Sequence, residues 1–204
     1  MKRLAAILTL VTLCCSCARA DSIRPAYPYV TASVDGRYYF KMVPDPKHNL
    51  EWDTHGSGTM FEVSADGQDK PLWNISGWYA YATYVSYDGK YLVRMGNWPP
   101  GEPSGKHLAI AFYENGKLVK SYSTVEILKN PANAPKSVSH YQFLKETIGF
   151  KSYDYNFRIK TVENIEYTFD VTSGRIVSEK PVSEVQPSSL GFIRMLSIIL
   201  YGSA

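Results

Sequence analysis

The sequence predicts an all-β protein of two or three small antiparallel sheets stacked like propeller blades, as an incomplete propeller or a sandwich, with one short connecting helix. Three observations carry that expectation: a repeated turn–strand unit, a series of hairpin signals, and a scarcity of helical periodicity. The unit Ser33-Val-Asp-Gly-Arg-Tyr-Tyr-Phe-Lys-Met42 returns as Ser86-Tyr-Asp-Gly-Lys-Tyr-Leu-Val-Arg-Met95. The two copies share Ser, Asp-Gly, Tyr and Met, and keep a positive charge at Arg37/Lys90 and Lys41/Arg94. Asp-Gly supplies the positive φ of a tight turn at little steric cost. After it, Tyr38, Phe40 and Met42 alternate with Tyr39 and Lys41, and Tyr91, Val93 and Met95 with Leu92 and Arg94. Period two reads as strand with one face in a core.

The elements follow in order. Met1-Lys2-Arg3, the apolar run Leu4–Leu13 and Ala18-Arg19-Ala20 have the layout of a secretory signal, so residues 1–20 are expected to be removed after Ala20. The run is about half the ~20 residues that span a bilayer. A lipoprotein acylated on Cys17 is the rival reading. All three cysteines and Lys2, Arg3 and Arg19 lie in this segment, with no acid. The mature chain, with a β-repeat domain read over 21–189, is therefore cysteine-free, and its 19 basic residues, Arg194 included, balance its 19 acidic ones. A neutral balance gives no global basic surface for nucleic acid or anionic lipid. The expected compartment is periplasmic or extracellular.

Hairpins are expected at three places. Thr59–Val63 leads through Asp66-Gly67 to Leu72-Trp73, Leu108–Phe112 through Asn115-Gly116 to Leu118-Val119, and Glu166–Val171 through Ser173-Gly174 to Arg175–Val177. Tyr155–Lys160 and Ile165–Val171 also read as paired strands. Ser123-Thr-Val-Glu126 fits a capping box, and Asn130-Pro131 ends the short helix it opens. Residues 130–137 and 178–189 read as loop. The apolar tail 190–204 is too short to cross a membrane comfortably and is expected to pack on the domain, with no transmembrane span in the mature chain.

The Ser-x-Asp-Gly-[Arg/Lys]-Tyr unit resembles the repeat of TolB-type β-propellers, whose blades carry Ser-Pro-Asp-Gly-Lys. The stretch 86–128 is similar to exported bacterial proteins of unassigned function built from such units. Here Val34 and Tyr87 replace the proline, and Asp35 and Asp88 are 53 positions apart, against ~40–45 for common propeller repeats. The resemblance implies stacked blades and carries no catalytic residue across.

No motif with chemistry stands up. Asp53-Thr-His55-Gly-Ser-Gly-Thr59 lacks the serine nucleophile and α/β context of a subtilisin-like protease. Gly101-Glu-Pro-Ser-Gly105-Lys106-His107 is one residue short of a phosphate loop and carries a proline where backbone donors are needed. No cofactor and no metal is expected, because the four histidines lack ligand spacing. What remains is two loops in equivalent repeat positions, 43–58 and 96–107, each with a Trp, a His and a carboxylate. The candidate ligand-binding residues are Trp98, Trp52, His55 and His107. The expectation is an exported, non-enzymatic binding module acting through these loops on an unknown protein or glycan of the cell envelope. The alternatives are a hydrolase of glycans or peptides using Asp53 and Glu102 with His55 or His107, and a structural accessory subunit.

Overall fold

A computed structural model describes residues 25–50 and 53–183. The expected signal over 1–20, Trp52 and the apolar tail 190–204 lie outside the described residues. The chain forms three four-stranded antiparallel sheets, each a meander in which neighbours in sequence are neighbours in space. The first holds β1 (Tyr29–Ala32), β2 (Tyr38–Leu50), β3 (Asp53–Glu62) and β4 (Lys70–Ser76). The second holds β5 (Thr83–Val85), β6 (Tyr91–Met95), β7 (Leu108–Glu114) and β8 (Lys117–Ser123). A single helical turn, α1 (Thr124–Ile127), and a 3-10 turn over Pro131–Asn133 lead to the third, made of β9 (Leu144–Phe150), β10 (Asn156–Thr161), β11 (Ile165–Asp170) and β12 (Arg175–Pro181). The sheets stack as an open arrangement that does not close into a ring.

The twin decapeptides build the same turn twice. Ser33 Oγ donates to Asp35 Oδ1 at 2.8 Å and accepts from the Tyr38 N–H at 3.1 Å. Ser86 Oγ does the same with Asp88 and Tyr91 at 2.7 and 3.0 Å. Gly36 and Gly89 sit at φ 72° and 68°. In the first copy the Arg37 side chain, bonded to Asp35, holds that carboxyl at about 2, well under the ordinary carboxylate value. The α1 cap is also as expected, with the Glu126 carboxylate accepting from the Ser123 N–H and hydroxyl, both at 2.7 Å.

Alternation along the strands divides the apolar residues between two cores. Phe40, Met42, Met60 and Ile75 of the first sheet meet Val85, Leu92, Ala111 and Tyr113 of the second. Val93, Met95, Ile110 and Phe112, on the other face of the second sheet, meet Phe157, Ile159, Tyr167 and Phe169 of the third. The second copy of the decapeptide therefore departs from the one-sided pattern expected of it. Leu92 and Val93 point in opposite directions and both are fully buried, because a sheet between two others must be apolar on each side.

Residues 43–58 also differ from the expected loop. β2 and β3 run through them as one long hairpin, with an irregularity between Pro44 and Asn49. Pro44, Pro46, Gly56 and Gly58 hide the strand in the sequence. Gly58 is required by packing: a Cβ there would lie 2.1 Å from Cζ of Phe40. A glycine inside a strand marks such a close approach as readily as it marks a loop.

Hydrogen bonds tie the layers at their turns. Trp73 Nε1–H donates to the Gly89 carbonyl at 3.0 Å, Tyr155 OH to Asp88 Oδ2 at 2.9 Å, and Tyr122 OH to the Gly174 carbonyl at 2.9 Å. A Cβ at Gly89 would come 2.5 Å from the Tyr38 ring, whereas nothing lies within 4 Å of one at Gly36. The two glycines thus separate backbone strain from sheet-to-sheet contact. Gly36→Ala is expected to cost roughly 1–2 kcal/mol for its left-handed backbone. Gly89→Ala should cost a further 1–3 kcal/mol, roughly, for displacing Tyr38. Urea unfolding of the two variants reads the difference directly; equal losses would show that the first and second sheets do not pack at this turn.

Candidate functional site

In a stack of meanders the connections sort by end. The tight turns 33–37, 64–69, 86–90, 115–116, 151–155 and 172–174 fall at one end of the strands. The tip of the β2–β3 hairpin, the connections 77–82 and 96–107, the stretch 124–143 and the turn 162–164 fall at the other. The two segments singled out in the sequence therefore share an end, as equivalent positions in a repeat must.

The 96–107 loop is fixed where it leaves β6. A Cβ at Gly96 would lie 1.7 Å from the Leu108 carbonyl oxygen, and the Gly96 N–H donates to the Ala109 carbonyl at 2.8 Å. Asn97 then ties the loop to the first connection, its amide donating to the Tyr79 carbonyl and accepting from the Tyr81 N–H, both at 3.2 Å. From Trp98 onward the loop lies antiparallel against residues 136–141. The Tyr141 N–H donates to the Pro99 carbonyl at 3.2 Å and the Gly101 N–H to the Ser139 carbonyl at 3.0 Å, while Pro100 and His140 form a β-bridge. Lys136 and Glu102 form an ion pair across the rim.

Trp98 and His140 form the centre of this contact. Their rings stack at 4.3 Å with 16° between planes. His140 is almost wholly buried, and its Nδ1 hydrogen-bonds Ser139 Oγ at 2.8 Å. Trp98 stays half-buried and borders an open cleft of about 530 Å³, whose walls include Pro135, Lys136, His140, Gln142 and Leu144. Behind that wall His107 Nδ1 meets Tyr141 OH at 2.9 Å, and the same hydroxyl bonds Thr124. Burial lowers the His107 pKa and raises that of Tyr141. The imidazole is thus held neutral, inside a hydrogen-bonded support for the cleft floor.

Of the residues expected to bind ligand, Trp98 borders the cleft and His107 supports it from behind. His55 is exposed on β3, in the first sheet, and is not among the residues that line the cleft. Trp52 lies outside the described residues. Asp53 belongs to β3, paired with Leu50, and Glu102 is engaged by Lys136. No acidic side chain lines the cleft among the described residues. Nor do any three His, Cys, Asp or Glu among the described residues gather into a group able to hold a metal ion. The surface is suited to contact and hydrogen bonding: an indole face, the Gln142 amide and the Lys136 ammonium. Sequence reasoning missed the 135–144 wall, reading only a loop over 130–137. The prolines 131 and 135 mark an irregular segment, but nothing local marks what it lies against.

No family model matches the chain, and no curated protein matches it. Among solved structures it is similar to Saccharomyces cerevisiae Sqt1, at 14% identity and a TM-score of 0.38, over 78% of this chain. The match covers 39% of that protein, so the chain spans well under half its length. A likeness at that score bears on neither fold nor function. Among the described residues no helix is long and apolar enough to cross a membrane.

The His107 environment has a consequence for stability. Its folded pKa is depressed, so the unfolded chain takes up a proton at higher pH than the folded one. The stability due to neutral His107 is therefore complete above the ordinary imidazole value of about 6.5 and is lost as pH falls below it. Urea midpoints measured from pH 8 to 5 should fall more steeply for the wild type than for His107→Gln. A parallel decline would mean that His107 titrates as it does in the unfolded chain.

Proposed function

We propose that the chain is an exported, non-enzymatic binding module, built from Ser-x-Asp-Gly units as TolB-type propellers are, that receives its ligand at the Trp98 cleft. The supporting observation is the arrangement of Trp98. One face of the ring is spent on His140, which fixes its orientation, while the rest borders an open cavity of a size that takes a small ligand or the side chains of a larger one. A pre-set aromatic wall loses little conformational entropy on binding. Hydrogen-bonding groups beside it, Gln142, Ser137 and Lys136, suit a polar ligand with an apolar face, which describes a glycan ring or a peptide side chain of the cell envelope. His107 supports the floor through Tyr141, and His55 belongs to the β2–β3 hairpin in the first sheet.

The test is binding to an array of envelope glycans and peptides with Trp98→Ala and Gln142→Ala. Loss of the indole is expected to weaken binding by about tenfold or more, equivalent to ~1.4 kcal/mol, without changing the unfolding midpoint by a comparable amount. Binding unaltered by both substitutions would remove the cleft as the ligand seat.

A further inference from the structure

The two outer faces of the stack are unlike. On the third sheet the buried Phe157, Ile159, Tyr167 and Phe169 alternate with Arg158, Lys160, Glu166, Thr168 and Asp170, so its outer face is charged and ends the stack. On the first sheet Phe40 and Met42 point into the core, and Tyr39, Lys41 and Val43 point away from it. The register sets Val30 opposite Lys41 and Phe61 opposite Tyr39. The Tyr39 and Phe61 rings stack at 5.0 Å and 15°, and Val30 and Val63 are 62% and 49% exposed. This outer face carries an apolar patch of Val30, Tyr39, Val43 and Phe61 around Lys41, bordered by Ser57, Thr59, Asn74 and Ser76.

The repeat says what such a face is for. Tyr39 and Lys41 correspond to Leu92 and Arg94, and their ladder partners Phe61 and Thr59 to Tyr113 and Ala111. In the second sheet those four residues form the face that packs on the first sheet. Leu92 is fully buried there, and the Arg94 guanidinium lies 4.3 Å from the centre of the Trp78 ring. The turn glycines point the same way. Gly89, Gly116 and Gly174 are each approached by the sheet before them, whereas at Gly36 and Gly67, their counterparts in the first sheet, a Cβ would meet nothing within 4 Å. The first sheet presents the mating face of an inner layer with no layer against it among the described residues.

We infer that this face is the site of self-association, with a second copy of the chain packing its first sheet against it about a twofold axis. A head-to-tail contact would bury the charges of the third sheet against apolar side chains, which is costly. The twofold arrangement places apolar on apolar. Lys41 of each copy then lies against the aromatic pair of the other, as Arg94 lies on Trp78. The four strands, of 4, 13, 10 and 7 residues, cover on the order of 500 Å² at about 3.3 Å per residue and 4.8 Å between strands. With side-chain relief, that lies toward the low end of specific interfaces, roughly 600 Å² per partner.

Sedimentation of the purified protein over about 1–100 µM, where interfaces of this size associate, should show a dimer. Phe61→Glu is expected to turn it into a monomer with an unchanged circular dichroism spectrum, while Lys160→Glu on the opposite face leaves it dimeric. Should Phe61→Glu fail to fold, Val30→Lys, on the edge strand β1, serves in its place. A monomer throughout the range overturns the proposal and leaves the face to another protein or to residues 184–204. A dimer that persists in the folded Phe61→Glu or Val30→Lys variant overturns it as well, by placing the contact elsewhere.

Discussion

Burial of the second sheet on both faces is the constraint from which the rest of the molecule follows. Leu92 and Val93 are neighbours in sequence, face opposite ways, and are both wholly removed from water. The same holds for Ala111 and Phe112 on the adjoining strand. Neither the first nor the third sheet supplies such a pair in full; each has one face outside the two cores. The second sheet thus has no stable existence without both neighbours, and the two cores it separates are linked through a single layer of backbone. A change that thins one core, such as loss of Phe112 from the side facing the third sheet, is felt across the ladder at Ala111 and Tyr113, which face the first.

The turns make that layering cooperative. Two sheet-to-sheet contacts at the tight-turn end, Trp73 to Gly89 and Tyr122 to Gly174, join a side-chain donor of one layer to a backbone carbonyl of the next. Such bonds exist only with the acceptor turn in place. The Ser–Asp pairs that close the 33–37 and 86–90 turns therefore do more than reverse the chain. At Asp88 one carboxylate oxygen shapes its own turn while the other receives Tyr155 from the third sheet.

What could be read from the sequence was local, and what could not was tertiary. β2, β6, β7, β10, β11 and the α1 cap announce themselves because Asp-Gly or Asn-Gly turns, period-two alternation and a capping box act over a few residues. β1, β5 and β9 do not. Thr83–Val85 is three residues long, and Leu144–Phe150 carries Lys145, Glu146 and Gly149, so neither shows alternation strong enough to stand out. The 43–58 hairpin is masked by Pro44, Pro46 and two glycines, of which Gly58 is required by the Phe40 ring and Gly56 by the Val43 carbonyl. At the site, Trp98 and His107 stood out as an aromatic and a histidine in a polar loop. His140, Lys136 and Gln142 lie about forty positions further on, and only the fold brings them alongside.

The sorting of connections by end divides the molecule into a conservative pole and a permissive one. At the first, the turns at Gly89, Gly116 and Gly174 are pressed against the neighbouring sheet, and a longer loop there would collide with it. At the second, the connections leave the strands without constraint on their length, and the chain has already used that freedom to lay 96–107 along 136–141. New surface chemistry can accumulate at that pole by substitution or insertion while the three meanders, and the order in which they stack, stay as they are.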